Sequence, residues 1–146
     1  MTADLQKTIA ITGATGFVGG RMLDLVVRNG YEARALTRRK QDDRPGVTWV
    51  RGALDDTASL ANLCAGADVV LHIAGVVNAP DRNGFEAGNV AGTLAVIEAA
   101  KQAGTKRFVH VSSLAATRPE LSIYGETKAK AEKIVATSGL DWTIIR

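Results

Sequence analysis

The chain is poor in cysteine, proline, histidine and aromatic residues, and each scarcity excludes something. Its 146 residues include a single cysteine, Cys64, which has no partner for an internal disulfide. A lone thiol fits a reducing compartment, so the expected location is the cytoplasm. Three prolines rule out a proline-rich or collagen-like chain. The two histidines, His72 and His110, and Cys64 stand at no metal-binding spacing, so no metal is expected. No apolar run approaches the roughly 18 residues of a membrane helix. The opening MTADLQK lacks the basic-then-apolar pattern of a signal peptide. Excess charge is also small: a net +3 helps an anionic ligand approach but does not argue for nucleic acid.

What is present is an alternation of strand-like and helix-like segments. Strands are expected at 8–12, 32–37, 47–51, 68–75, 107–113 and 141–146. Helices are expected from Val18 to the Asn-Gly at 29–30, over 55–65, over 85–103 and over 124–137, with a loop at 76–85. The run DVVLHIAG at 68–75 is continuously apolar, as in a strand covered on both faces. Six strands alternating with helices predict an α/β fold, a doubly wound parallel sheet of the Rossmann type with helices on both faces. Nothing follows the last strand, so the chain reads as one truncated domain over 1–146 that lacks a C-terminal substrate lobe.

TGATGFVGG places glycines at 13, 16 and 19 between the first strand and the first helix. In that context Gly13 makes a tight turn, Gly16 admits a pyrophosphate and Gly19 packs the helix on the sheet. The helix N-terminus then offers N–H groups and a positive dipole end to phosphates. No Gly-Lys-Ser/Thr follows, which disfavours a mononucleotide P-loop. The second strand runs into TRRK rather than ending on a carboxylate. Arg38 or Arg39 is therefore expected to pair with a 2′-phosphate, favouring NADP over NAD, with NAD still possible.

IYGETKAKAE sets Tyr124 and Lys128 one helical turn apart on one face. An ammonium beside a phenol favours phenolate and lowers a pKa of about 10, which suits Tyr124 to proton exchange with a substrate oxygen.

Together, TGATGFVGG, LHIAG, NVAGTLAVIEAA, HVSS, YGETKAKAE and LDWTIIR resemble the cofactor half of the short-chain dehydrogenase/reductase superfamily. The likeness is to its extended, epimerase/dehydratase branch. The resemblance implies that Gly13, Thr15, Gly16, Phe17 and Val18 surround the pyrophosphate while Gly19 packs the helix. Ala74 and Gly75 would lie against a cofactor ribose. It implies Tyr124 as general acid/base and Lys128 as the group that lowers its pKa and bonds the nicotinamide ribose. Ser113, rather than Ser112, would bond the reacting oxygen, and Asn89 would position Lys128 through water or serve as a helix cap or kink. Ala53 stands where the family often has an adenine-binding Asp, leaving the Leu54 backbone or Asp55 for that contact. The implied activity is NAD(P)-dependent hydride transfer to or from a small-molecule carbonyl or hydroxyl, including nucleotide sugars. A non-catalytic nucleotide-binding sensor or subunit is the alternative. Relatives pair through the helices bearing Asn89 and Tyr124, so a homodimer is expected.

Overall fold

Short β-rich segments bounded by glycine turns become strands, and the amphipathic segments between them cover the sheet. The computed structural model describes residues 6–146. Strands β1 (Thr8–Thr12), β2 (Glu32–Thr37), β3 (Val47–Arg51), β4 (Val69–His72), β5 (Arg107–Val111) and β6 (Asp141–Ile145) form one sheet in the order β3-β2-β1-β4-β5-β6. Every neighbouring pair in it is parallel. The order reverses between β1 and β4, and in such sheets ligands settle in the crevice beyond that switch point.

Helix α1 (Phe17–Arg28) covers one face, burying Leu23 and Val26 against Ile11, Ala33, Ala35 and Leu71. The other face carries α2 (Thr57–Cys64), α4 (Gly92–Gln102) and α5 (Ile123–Ala136), packed over Leu36, Val50, Val70 and Phe108. Asp56 caps α2 by accepting from the Ser59 N–H, and Ser122 caps α5 by accepting from the Gly125 N–H.

The structure departs from the sequence expectation at the carboxyl edge of the sheet. Strand β4 stops at His72 and β5 at Val111, because the following residues turn into the site. The expected loop at 76–85 holds a short helix, α3 (Arg82–Phe85), capped by Asp81. Between α3 and α4 the chain makes a π-helical turn over Glu86–Ala91, so 82–102 is one helix with a widened turn. Residues 114–117 and 119–121 form two 3₁₀ turns.

Two glycines hold β1, α1 and β4 together. Gly13 has φ +74°, and a Cβ there would lie 2.7 Å from the Ala74 nitrogen. A Cβ on Gly19 would overlap the Gly13 carbonyl oxygen. Gly30, by contrast, has φ +81° and open space around it. In equilibrium unfolding, Gly19→Ala is expected to destabilise by about 3 kcal/mol or more through forced overpacking. Gly30→Ala should cost only about 1–2 kcal/mol, the left-handed backbone term alone. Equal losses would contradict the assigned contact.

Candidate active site

The first part of the site is the β1–α1 turn. The protein's own packing accounts for Gly13 and Gly19, but not for Gly16. A Cβ on Gly16 would meet nothing closer than the Gly13 oxygen, at 3.4 Å. Gly16 is nonetheless exposed, as are Thr15, Phe17 and Val18. It is also the N-cap of α1, with no capping side chain and no acidic residue in the first turn. The opening N–H groups of α1 thus face outward with the positive end of the helix dipole behind them. Such a cradle fits a diphosphate. Ala74 and Gly75 form the opposite wall beyond β4.

The second part is a chain of buried hydrogen bonds beneath that turn. Register aligns Thr12, His72 and His110 in one row across β1, β4 and β5. The Thr12 hydroxyl accepts from the backbone N–H of Ile73 and Ala74, at 3.2 and 3.1 Å. Its own proton therefore goes to His72 Nδ1, at 2.7 Å. That assignment leaves the ring proton on Nε2, donated to Thr93 Oγ1 at 2.9 Å, and Thr93 donates on to the Asn89 carbonyl at 2.8 Å. Every hydroxyl and ring nitrogen is used, and only neutral His72 satisfies the order. Burial, and after it the neighbouring His110 and Lys128 groups, hold its pKa well below the usual 6.5.

Asn89 extends the network from the middle of the π-helical turn. Its side chain accepts from Val76 N–H at 2.7 Å and donates to the Val76 carbonyl and to Thr127 Oγ1, at 2.9 and 3.1 Å. Thr127 in turn donates to the Tyr124 carbonyl. Asn89 therefore clamps the β4 loop to α5, and it makes no direct bond to Lys128 among the described residues.

The third part is the start of α5. Lys128 is 3% exposed and donates to the Val111 carbonyl at 3.2 Å, where β5 ends. Burial lowers its pKa, against the opposing pull of Glu132 one turn on. Lys128 Nζ and Asn89 Oδ1 converge on Gly75: a Cβ there would lie 3.6 and 3.0 Å from them. Tyr124, half-buried, is one turn before Lys128. The 3₁₀ turn after β5 packs on that first helical turn, since a Cβ on Gly125 would lie 2.6 Å from the Ala115 oxygen. Ser113 caps the 3₁₀ turn, accepting from Ala115 N–H at 3.1 Å. Ser112 is engaged elsewhere, donating to Glu132 at 2.6 Å. Ser113, Tyr124, Lys128, Asn89, Gly75 and the glycine turn thus share the carboxyl edge of the sheet.

Arg38 and Arg39 follow β2, exposed, and their guanidinium groups have no hydrogen-bond or ion-pair partner among the described residues. Thr37 shapes their turn, donating to the Arg39 carbonyl at 2.7 Å. Leu54 turns its side chain toward Gly92 of α4, which leaves its backbone at the edge. Among the described residues no His, Cys, Asp and Glu cluster could hold a metal, and no helix is long and apolar enough to cross a membrane. Thr12, Thr93, Thr127 and Glu132 were not legible as site residues. The one available signal was Thr93, one turn after Asn89.

Residues 13–146 match the family model described as NAD(P)H-binding. The chain belongs to that family. Within it, the relatives are those of the extended short-chain dehydrogenase/reductases. Ceramide reductase of Caulobacter vibrioides is 37% identical over 153 residues, covering 100% of this chain and 47% of the relative. Among solved structures, the Bordetella bronchiseptica enzyme WbmH in complex with NAD+ is 26% identical with a TM-score of 0.85. That match covers 95% of this chain and 55% of WbmH. A short-chain dehydrogenase/reductase superfamily protein from Agrobacterium tumefaciens with bound NAD is 28% identical, with a TM-score of 0.83 over 95% of this chain and 48% of that one. The chain thus spans about half the length of the curated relatives it matches. Membership of this NAD(P)-binding oxidoreductase and epimerase family is what the glycine turn and the strand order led one to expect.

Two buried neutral histidines link this architecture to acid stability. Burial lowers the His110 pKa to about 4, and it holds that of His72 well below 6.5. Both lie below the unfolded value of 6.5, so the unfolded chain binds more protons and stability must fall as pH drops below 6.5. The chain has two histidines and carboxylates scarcely titrate above pH ~5, so the slope there reports these two side chains. Denaturant titrations between pH ~7 and ~5 should show a slope rising toward two protons. A flat profile would contradict the neutral, buried state of the pair.

Proposed function

We propose that this chain is the cofactor-binding part of an NAD(P)-dependent reductase or dehydrogenase in which Ser113, Tyr124 and Lys128 handle the proton that accompanies hydride transfer. The observation that carries this is the convergence of a buried Lys128 ammonium, Tyr124 one turn earlier and the Ser113 turn at the same sheet edge as the open α1 N-terminus.

The cofactor, when bound, supplies or receives hydride at its nicotinamide C4. The residues do the rest. The α1 N–H groups hold the diphosphate, and Gly16 lets it approach the backbone. In reduction, Tyr124 gives its phenolic proton to the substrate oxygen as hydride reaches the carbonyl carbon, converting carbonyl to alcohol. Lys128 stabilises the phenolate left behind, since a neighbouring cation favours the charged form. The Ser113 hydroxyl bonds the same substrate oxygen and orients it. Oxidation of an alcohol reverses each step. Val77, Leu114 and Leu121, 76%, 73% and 68% exposed, lie in the loops after β4 and β5. They favour a carbonyl on a largely apolar molecule over a nucleotide sugar, in keeping with the likeness to ceramide reductase.

In the full-length protein, Tyr124→Phe should lower kcat by about 10²-fold or more with cofactor affinity kept, as measured by nicotinamide absorbance and calorimetry. Turnover equal to the parent's would leave Tyr124 without the role and favour a binding-only protein.

Arg38 and Arg39, exposed and without side-chain partners among the described residues at the end of β2, support a preference for the 2′-phosphate of NADP. Replacing both by alanine should weaken NADP binding by about 10-fold or more, the loss of one or more charge-assisted pairs, while NAD binding changes little. Calorimetry giving equal losses for the two nucleotides would rule the assignment out.

A further inference from the structure

The row Thr12–His72–His110 ends in a residue that the network does not satisfy. His110 is fully buried, and neither of its ring nitrogens has a protein partner among the described residues. Its ring stacks on His72, centroids 5.3 Å apart at 23°. An imidazole left without partners in a core is costly, and buried polar groups of this kind are generally met by ordered water.

The charged and titratable groups facing His110 are few. His72 comes from β4, and both its nitrogens are bonded. Glu132 comes from α5, and its carboxylate is held by Ser112 and by Arg146, beyond β6, at 2.6, 3.0 and 2.8 Å. The β6 neighbour in register is Ile144, which is apolar. Lys128, from α5, remains. It has three N–H donors and places one on the Val111 carbonyl, next in sequence to His110.

We propose that a water bound between the His110 ring and Lys128 Nζ makes His110 the residue that positions the buried ammonium. Lys128 donates to the water, and the water donates to the unprotonated ring nitrogen. The neutral imidazole, kept so by its burial, serves as the terminal acceptor. The arrangement keeps Lys128 charged in a dry setting and fixes it beneath Tyr124. This rests on the Ser113–Tyr124–Lys128 reading for its effect on turnover, but not for its effect on Lys128 itself.

The test uses the full-length protein with His110→Leu, which removes the acceptor, and His110→Gln, which restores one. Lys128 titration is followed by NMR of labelled lysine, and alcohol oxidation is measured across pH. His110→Leu should lower the Lys128 pKa by on the order of one unit. With less positive charge in the site, the acid limb of oxidation should move up in pH by a similar amount. His110→Gln should return both toward the parent. If the leucine variant does not fold, His110→Met takes its place. A leucine or methionine variant whose Lys128 titrates as in the parent overturns the proposal, whatever its stability. A parent without turnover would sink the proposed reaction and leave the lysine titration to decide the role of His110.

Discussion

The site depends on how closely β1 and β4 come together where the sheet changes direction. The Thr12 hydroxyl takes two backbone N–H groups from the β4 turn, and the Gly13 backbone lies against Ala74 with no room for a side chain. This contact joins the two walls of the crevice. On one side it sets the start of α1, whose N–H groups aim outward. On the other it sends the chain through Gly75 to Val76, where Asn89 holds both backbone groups. A longer side chain at Gly13 would part the walls and remove the Thr12 bonds together. Cooperation of this kind is expected of buried polar networks, in which each bond polarises and orients the next.

The histidine in the middle of the row gives the network its direction. Because Thr12 must accept twice, it can donate only to His72, and that choice passes through Thr93 to the Asn89 carbonyl. Thr93, in the first turn of α4, reaches back one turn to the Asn89 carbonyl within the π-helical turn. Local helix irregularity and strand register are thus parts of one hydrogen-bond arrangement. It reaches from β1 to the first turn of α5 through Asn89 and Thr127.

Much of this was legible in the amino-acid order. The glycine spacing after an apolar strand marked the α1 turn, and the alternation of periods marked a parallel sheet. Tyr124 and Lys128 stood out through their four-residue spacing. The network was hidden for a physical reason: Thr12, His72, Thr93 and Thr127 lie far apart in the chain, and no local pattern records which strands become neighbours. The ends of β4 and β5 were overextended because apolar character continues past His72 and Val111. There the backbone leaves the ladder, although the side chains remain partly covered. The π-helical turn was legible only as a possible kink at Asn89, because composition does not fix how wide a turn is. Within it, Gly88 packs against Val76 with no room for a Cβ, and Asn89 bonds both Val76 backbone groups, contacts that only the tertiary fold brings together.

Lys128 shows why such a site is built from a network rather than from isolated residues. An ammonium 3% exposed in a core loses hydration and drifts toward the neutral form. In the proposed reaction, a neutral lysine would do nothing for Tyr124. The charge must therefore be retained by acceptors that do not themselves become mobile or protonated. The Val111 carbonyl at the strand end is one such acceptor, fixed by the sheet. The carboxylate of Glu132 is held one turn away by Ser112 and Arg146, which keeps it from collapsing onto the ammonium while its field still favours the charged form. A direct Lys–Glu pair would satisfy Lys128 better but would tie up the donors that the proposed reaction uses. Placing the carboxylate within reach of its field, and out of reach of its hydrogen bonds, leaves the lysine both charged and available.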